Sequence, residues 1–159
     1  MVTSLSLPPF NYFFVNFFTF SLFFLFLIKK SDHHNNKKLF FYYGWLFGFG
    51  YFLSNLYWIS ISLTFDQNFK FLIPFTIFII PSLLALFYGL ITFFFIILKP
   101  KKSVHAFLVF SLVYGFLEFL RGSILTGFPW NLIAYSFSEN LEILNIISII
   151  GTYGFNLFC

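Results

Sequence analysis

Residues 71–98, FLIPFTIFIIPSLLALFYGLITFFFIIL, decide the fold of this 159-residue chain. No charged side chain interrupts these 28 positions. A helix needs about 20 apolar residues to cross the hydrocarbon core of a bilayer, so the run predicts a transmembrane helix over 72–98. Pro74 and Pro81 are assigned to its first turns, where the missing backbone N–H of proline costs little.

The rest of the chain repeats this apolar pattern. Of all residues, 60% are hydrophobic and only 9% are charged, whereas soluble domains carry roughly 25% charged residues. This composition excludes an ordinary soluble domain and a disordered chain. Nine lysines and arginines spread over short loops do not predict a nucleic-acid surface. We expect an all-α, polytopic transmembrane bundle that forms a single domain over 1–159, with about five spans: 10–28, 39–63, 72–98, 104–120 and 143–159.

Lysine placement predicts how the bundle is oriented. Loops 29–38 and 99–102 hold seven of the nine lysine and arginine residues. Short cytoplasmic loops are enriched in these residues, so both loops are expected on the cytoplasmic side. Segment 118–142 is then expected on the periplasmic side of the membrane, and residue 1 is expected on that side too.

The stretch near 122–142 does not read as a full crossing. Gly127 and Pro129 interrupt the helix, Trp130 is typical of the membrane interface, and 135–140 is amphiphilic. The pattern predicts a re-entrant or interfacial segment. Non-helical backbone at membrane depth must be buried in protein or line a wet cavity, so the segment is either part of a substrate site or a connector.

Glu118 and Arg121 are the most informative charged pair. Residues three apart share a helix face and can pair, and Arg121 is the one arginine in the chain. Its planar, two-pronged guanidinium suits carboxylate or phosphate groups. The pair is either a salt bridge that fixes the helix end, or a group that meets a lipid phosphate or orients a substrate loop.

Other motifs have structural and functional interpretations. Gly44 and Gly48 form a small-xxx-small pattern that lets two helices approach closely, inside this bundle or across a homodimer. Tyr57 and Trp58 fit an interfacial aromatic belt or the wall of a lipid cleft. His33 and His34 lack a spaced partner that would complete a metal site.

Two stretches together resemble a known family. EFLRG at 118–122 runs into TGFPW at 126–130, and FGFG at 47–50 precedes Tyr57 and Trp58. These motifs, in this order, resemble the membrane domain of bacterial apolipoprotein N-acyltransferase, and the resemblance covers nearly the whole chain. It implies a helical bundle in the bacterial inner membrane with a nitrilase-like α/β domain on the periplasmic side. It also implies transfer of an acyl chain from a phospholipid donor to the diacylglyceryl cysteine of a diacylated lipoprotein, through a thioester on a catalytic cysteine.

The sequence departs from that family where catalysis takes place. Glu118 and Cys159 do not match the catalytic positions, which lie in the nitrilase-like domain. We therefore expect no catalytic residue, metal or cofactor in this chain, no first span of the family, and no activity from the chain alone. The alternative is a non-enzymatic membrane protein, such as a small transporter half or a scaffold. Candidate residues for a substrate or lipid cleft are Tyr57, Trp58, Glu118, Arg121, Pro129, Trp130 and Tyr135.

Overall fold

The computed structural model describes residues 5–7, 12–100, 102–124 and 131–158, and these ranges contain helices but no strand. This confirms the expected all-α bundle. The α-helices in chain order are α1 (Phe14–His33), α2 (Lys37–Ser62), α3 (Ile73–Leu98), α4 (Ser103–Ser123), α5 (Leu141–Ile150) and α6 (Thr152–Phe158). Two 3₁₀ helices, Gln67–Leu72 and Ile133–Phe137, precede α3 and α5.

Three helical stretches in the described ranges are long and apolar enough to cross a membrane: Phe14–His33, Gln67–Leu98 and Ser103–Ser123. Helix α2 has 26 residues, as α3 does. At 1.5 Å per residue it is about 39 Å long, but its lysines, glycines, tyrosines and serines make it less apolar. The chain is thus a membrane protein with helices of spanning length.

The end of the described chain differs from the single span expected over 143–159. Helix α5 stops at Ile150 after 10 residues, or about 15 Å, which is half of a roughly 30 Å hydrocarbon core. Gly151 follows with φ 79°, a backbone region that glycine enters readily. Helix α6 then begins at Thr152. The hydropathy pattern indicated an apolar stretch here but not the glycine break within it.

The prolines of α3 take two different positions. Pro74 lies in the first turn, as expected. Pro81 lies inside the helix and is buried, so its assignment to the first turns was wrong. Apolar spans tolerate an internal proline because neighbouring helices and local adjustments satisfy the freed backbone groups.

The glycine pattern of α2 packs against α3. A Cβ on Gly44 would lie 2.2 Å from both Thr92 Oγ1 and Tyr88 O, and one on Gly48 would lie 2.6 Å from Tyr88 Cβ. The close approach lets Thr92 Oγ1 donate to the carbonyl of Phe40 at 2.6 Å. The glycine face is therefore covered within one chain, as the packing interpretation predicted.

The two lysine-rich loops lie at the same end of the bundle. Lys99 Nζ is 3.0 Å from Asp32 Oδ1 and also donates to Ser31 Oγ. Since Asp32 is at the end of α1 and Lys99 directly follows α3, both helices point the same way along the bundle. The opposite end carries the end of α4.

We expect Asp32→Asn to lower the free energy of unfolding by less than about 1 kcal/mol. The Asp32 side chain is 63% exposed, and exposed ion pairs typically contribute about 0.2–1 kcal/mol. Equilibrium unfolding in detergent at low and high salt measures the effect, which should shrink with salt. A loss above about 2 kcal/mol would show that the contact has a larger structural role.

Candidate functional site

A buried ion pair lies one turn before the end of α4. Arg121 Nη2 is 2.5 Å from Glu118 Oε2, and Arg121 Nε donates to Glu118 Oε1 at 3.3 Å. Both side chains are 0% exposed. Two hydrogen bonds hold the guanidinium and carboxylate in one geometry. The structure thus shows the salt bridge that the spacing predicted, inside the protein and not on its surface.

Aromatic side chains from α2, α3 and α4 surround this pair. The guanidinium carbon of Arg121 lies 5.2 Å from the centre of the Phe52 ring, within the range of a cation–π contact. Three tyrosines, Tyr51, Tyr88 and Tyr114, are also buried, and the hydroxyls of Tyr88 and Tyr114 lie 3.1 Å apart. The site therefore combines one ion pair with neutral hydroxyls in an otherwise apolar interior.

Tyr51 connects this interior to the segment that follows α4. Its hydroxyl donates to the carbonyl of Asn131 at 2.6 Å. Asn131 has φ 62°, a left-handed conformation that asparagine adopts more readily than most residues. Its side-chain Nδ2 is buried and has no hydrogen-bond partner among the residues described. The hydrogen bond thus holds the turn at Asn131 beside Tyr51 and the other buried aromatic side chains.

Four of the seven residues of segment 131–137 are buried in protein, and the other three are partly buried. Ile133, Ala134 and Ser136 of its 3₁₀ helix are each at most 5% exposed. Such packing satisfies the requirement that non-helical backbone in a membrane protein be covered. Residues 138–142, which complete the stretch near 122–142, are exposed.

Polar residues that the sequence analysis did not single out fasten this segment. Ser6 Oγ donates to Asn16 Oδ1 at 2.7 Å, and Asn16 Nδ2 donates to Ser136 Oγ at 3.3 Å. The backbone N–H of Ala134 donates to Asn156 Oδ1 at 3.2 Å. Asn16 and Asn156 each lie inside an apolar run of the sequence. A polar group in such a run needs a partner, so these two residues could have been predicted to make buried contacts.

The remaining candidates occupy different surroundings. Tyr57 and Trp58 are 60% and 47% exposed near the end of α2, unlike the buried ion pair. Tyr135 is half-buried, and burial raises the pKa of its phenol above the ordinary value. Pro129 and Trp130 lie outside the described residues, as does Cys159.

The described ranges contain no group of three histidine, cysteine, aspartate or glutamate side chains placed to hold a metal ion. His33 and His34 are both exposed within the lysine-rich loop 29–38. The chemistry available in the described interior is therefore that of one ion pair, amides and hydroxyls.

Apolar helices of spanning length, packed around a buried ion pair, define a polytopic helical membrane protein. Within that class the chain belongs to the family described as apolipoprotein N-acyltransferase N-terminal domain, whose model matches residues 1–159. The resemblance of the sequence to this family is thereby confirmed.

Similar proteins carry the same name. The apolipoprotein N-acyltransferase of Rickettsia prowazekii (strain Madrid E) is 41% identical over 116 residues, which cover 70% of this chain and 22% of that protein. The one of Rhizobium leguminosarum bv. trifolii (strain WSM2304) is 34% identical over 157 residues, covering 94% of this chain and 29% of the relative. The chain thus spans less than a third of the length of these relatives. No solved structure matches it.

Proposed function

We propose that this chain is the membrane domain of an apolipoprotein N-acyltransferase, which moves an acyl chain from a phospholipid to the N-terminal diacylglyceryl cysteine of a lipoprotein. The observation that carries the proposal is the family match over residues 1–159, supported by relatives that bear the enzyme's name. As the resemblance to the family implies, the catalytic cysteine belongs to a nitrilase-like domain that acts together with this membrane domain.

In this proposal, the membrane domain positions the two lipid substrates. Both substrates carry long acyl chains, and keeping those chains in hydrocarbon avoids the cost of exposing apolar surface to water. The Glu118–Arg121 pair supports the end of α4 and, through its aromatic surroundings, segment 131–137. Tyr57, Trp58, Tyr135, Pro129 and Trp130 are proposed to border the cleft through which the lipid chains reach the catalytic domain.

The proposed setting is the bacterial inner membrane. Loops 29–38 and 99–102 are proposed to lie on the cytoplasmic side, because they hold most of the lysines, and their position at one end of the bundle supports this. Segment 118–142 is then periplasmic and lies beneath the catalytic domain. This orientation is tested with two variants, Lys37→Cys and Glu139→Cys. Each introduced cysteine is tested for accessibility to a membrane-impermeant reagent.

Acyl transfer by a chimera tests the function. The matched region of the Rhizobium leguminosarum enzyme, 157 residues long, is replaced by that of this chain, and acylation of a diacylated lipoprotein is followed by mass spectrometry. We expect the lipoprotein to gain the mass of one acyl chain. Arg121→Ala should lower the rate of acyl transfer about tenfold or more, because misplacement far from the reacting atoms can cost about 100-fold in rate.

Lys70→Ala serves as the matched control, because Lys70 is exposed in the 3₁₀ helix before α3 and its loss should leave transfer unchanged. A chimera that inserts at normal levels but adds no acyl chain would contradict the proposed function. It would favour the reading of a transporter half or scaffold.

A further inference from the structure

The two lysine-rich loops form one basic surface, at the end of the bundle opposite the end of α4. Loops 29–38 and 99–102 hold seven lysines and one acidic residue, Asp32, which leaves a net charge of +6. The contacts of Lys99 with Asp32 and Ser31 join the two loops. We call this surface the basic end, and its described lysines are Lys29, Lys30, Lys37, Lys38, Lys99 and Lys102.

Most of this positive charge is not neutralised by the protein. Four lysines of the basic end are exposed, namely Lys29, Lys37, Lys38 and Lys102. Among the described residues, the salt bridge at this end joins Lys99 to Asp32, and none involves the four exposed lysines. The other four acidic residues of the chain lie outside the two loops. The basic end therefore lacks its own counter-charge.

Two helices begin with cations at the basic end. Lys37 and Lys38 are the first residues of α2, and Lys102 directly precedes α4. Neither helix has an acidic residue in its first turn, where the helix dipole favours carboxylates and disfavours cations. Proteins break such local rules mainly where a function requires it. An anion held among these lysines would offset both unfavourable terms.

The lysines of the basic end lie at the boundary between the apolar helices and water. Leu98 and Val104, on either side of loop 99–102, are 56% and 72% exposed, as expected of side chains that contact lipid. Tyr42, one turn after Lys38, is also exposed, and tyrosine is enriched at membrane interfaces. The basic end is therefore at the depth of the lipid headgroups, where phosphate is the abundant anionic group.

We propose that the basic end binds the phosphate groups of anionic phospholipids in the leaflet that surrounds it, which is the cytoplasmic leaflet in the orientation proposed above. Clusters of about four to eight lysines or arginines next to a transmembrane helix attract anionic headgroups. Each lysine near such a surface strengthens the attraction about fivefold. Lysine binds phosphate as a point charge on a flexible stem, so the basic end selects lipids by charge. The bound lipids are retained and not chemically changed.

This binding depends on the bundle lying in a membrane and not on acyl transfer. The basic end is at the opposite end of the bundle from segment 131–137, which the proposed function places beneath the catalytic domain. The two proposals therefore fail separately. A chimera without transferase activity leaves the lipid preference open to test, and loss of the preference leaves the chimera result intact.

Spin-labelled lipids test the preference for anionic headgroups. The full chain is reconstituted in phosphatidylcholine bilayers with a trace of phosphatidylglycerol or phosphatidylcholine, each labelled at the same acyl position. Electron paramagnetic resonance measures the fraction of each lipid that the protein immobilises. We expect phosphatidylglycerol to be retained about fivefold better at low salt, which is the attraction of one lysine averaged over the lipids in contact. The preference should approach equality in 1 M sodium chloride, where the Debye length is about 3 Å.

Two matched comparisons assign the preference to the basic end. Lys38→Gln should lower it, whereas Lys70→Gln should leave it unchanged, because Lys70 is equally classed as exposed but precedes α3 at the opposite end of the bundle. Replacing Lys37, Lys38 and Lys102 together with glutamine should bring the preference close to equality. Replacing the same three residues with arginine keeps their charge and should preserve it.

Three results would overturn the proposal. They are equal retention of the two lipids at low salt, equal effects of Lys38→Gln and Lys70→Gln, and displacement of phosphatidylglycerol by inorganic phosphate at an ionic strength where chloride has no effect. The third result would assign the lysines to a free anion. Thermal unfolding checks that each variant keeps its fold, which is expected because substitutions at exposed positions usually change stability little.

Discussion

Replacing Arg121 with methionine is expected to lower the free energy of unfolding by about 3–5 kcal/mol, the range measured when one partner of a buried ion pair is removed. The Glu118 and Arg121 side chains are both 0% exposed and are joined by two hydrogen bonds. Without the guanidinium, the Glu118 carboxylate is left inside an apolar bundle. Equilibrium unfolding of the purified chain in mixed micelles measures the change.

A variant with both charges removed distinguishes loss of the pair from loss of packing. In Glu118→Leu/Arg121→Met no charge remains buried, and such replacements are often neutral or stabilising. We expect the double variant to recover most of the stability that Arg121→Met loses, which gives a large coupling energy in a double-mutant cycle. A double variant as unstable as the single one would show that the guanidinium acts mainly through other contacts.

The spacing of Glu118 and Arg121 was enough to predict that they pair, but not where the pair lies. Burial comes from Phe52 on α2 and from Tyr88 on α3, which are distant in sequence. Periodicity describes one helix at a time. It therefore identified the helices and the face of α4 that Glu118 and Arg121 share. The depth of that face depends on which neighbours cover it.

The same limit explains the segment after α4. Helix α4 ends at Ser123 and α5 begins at Leu141, so the predicted interruption between helices is present, whereas Gly127 and Pro129 themselves lie outside the described residues. Burial of the segment depends on Asn16, whose Nδ2 donates to Ser136 Oγ from 120 positions away, and on Asn156. Such contacts are set by the folded arrangement, and a hydropathy profile contains no term for them.

The second large effect is expected at the contact between α2 and α3. Gly44→Leu should destabilise the bundle by about 3 kcal/mol, the upper part of the usual range for overpacking. Its Cβ would lie 2.2 Å from the backbone carbonyl of Tyr88 and from Thr92 Oγ1. A carbonyl oxygen in the middle of α3 moves only with the helix, so the two helices must separate. The hydrogen bond from Thr92 to Phe40 would then lengthen or break.

Gly50 provides the matched control, since a Cβ there would meet nothing within 4 Å. Gly50→Ala should stabilise α2 by up to about 1 kcal/mol, the difference in helix propensity between the two residues, whereas Gly44→Ala should destabilise it. Unfolding in detergent compares the variants, and crosslinking reports the oligomeric state. Equal effects at Gly44 and Gly50 would contradict the close contact with α3. A Gly44→Leu chain of normal stability that loses only its dimers would instead assign the glycine face to a homodimer, because separation of two copies leaves the fold of each bundle intact.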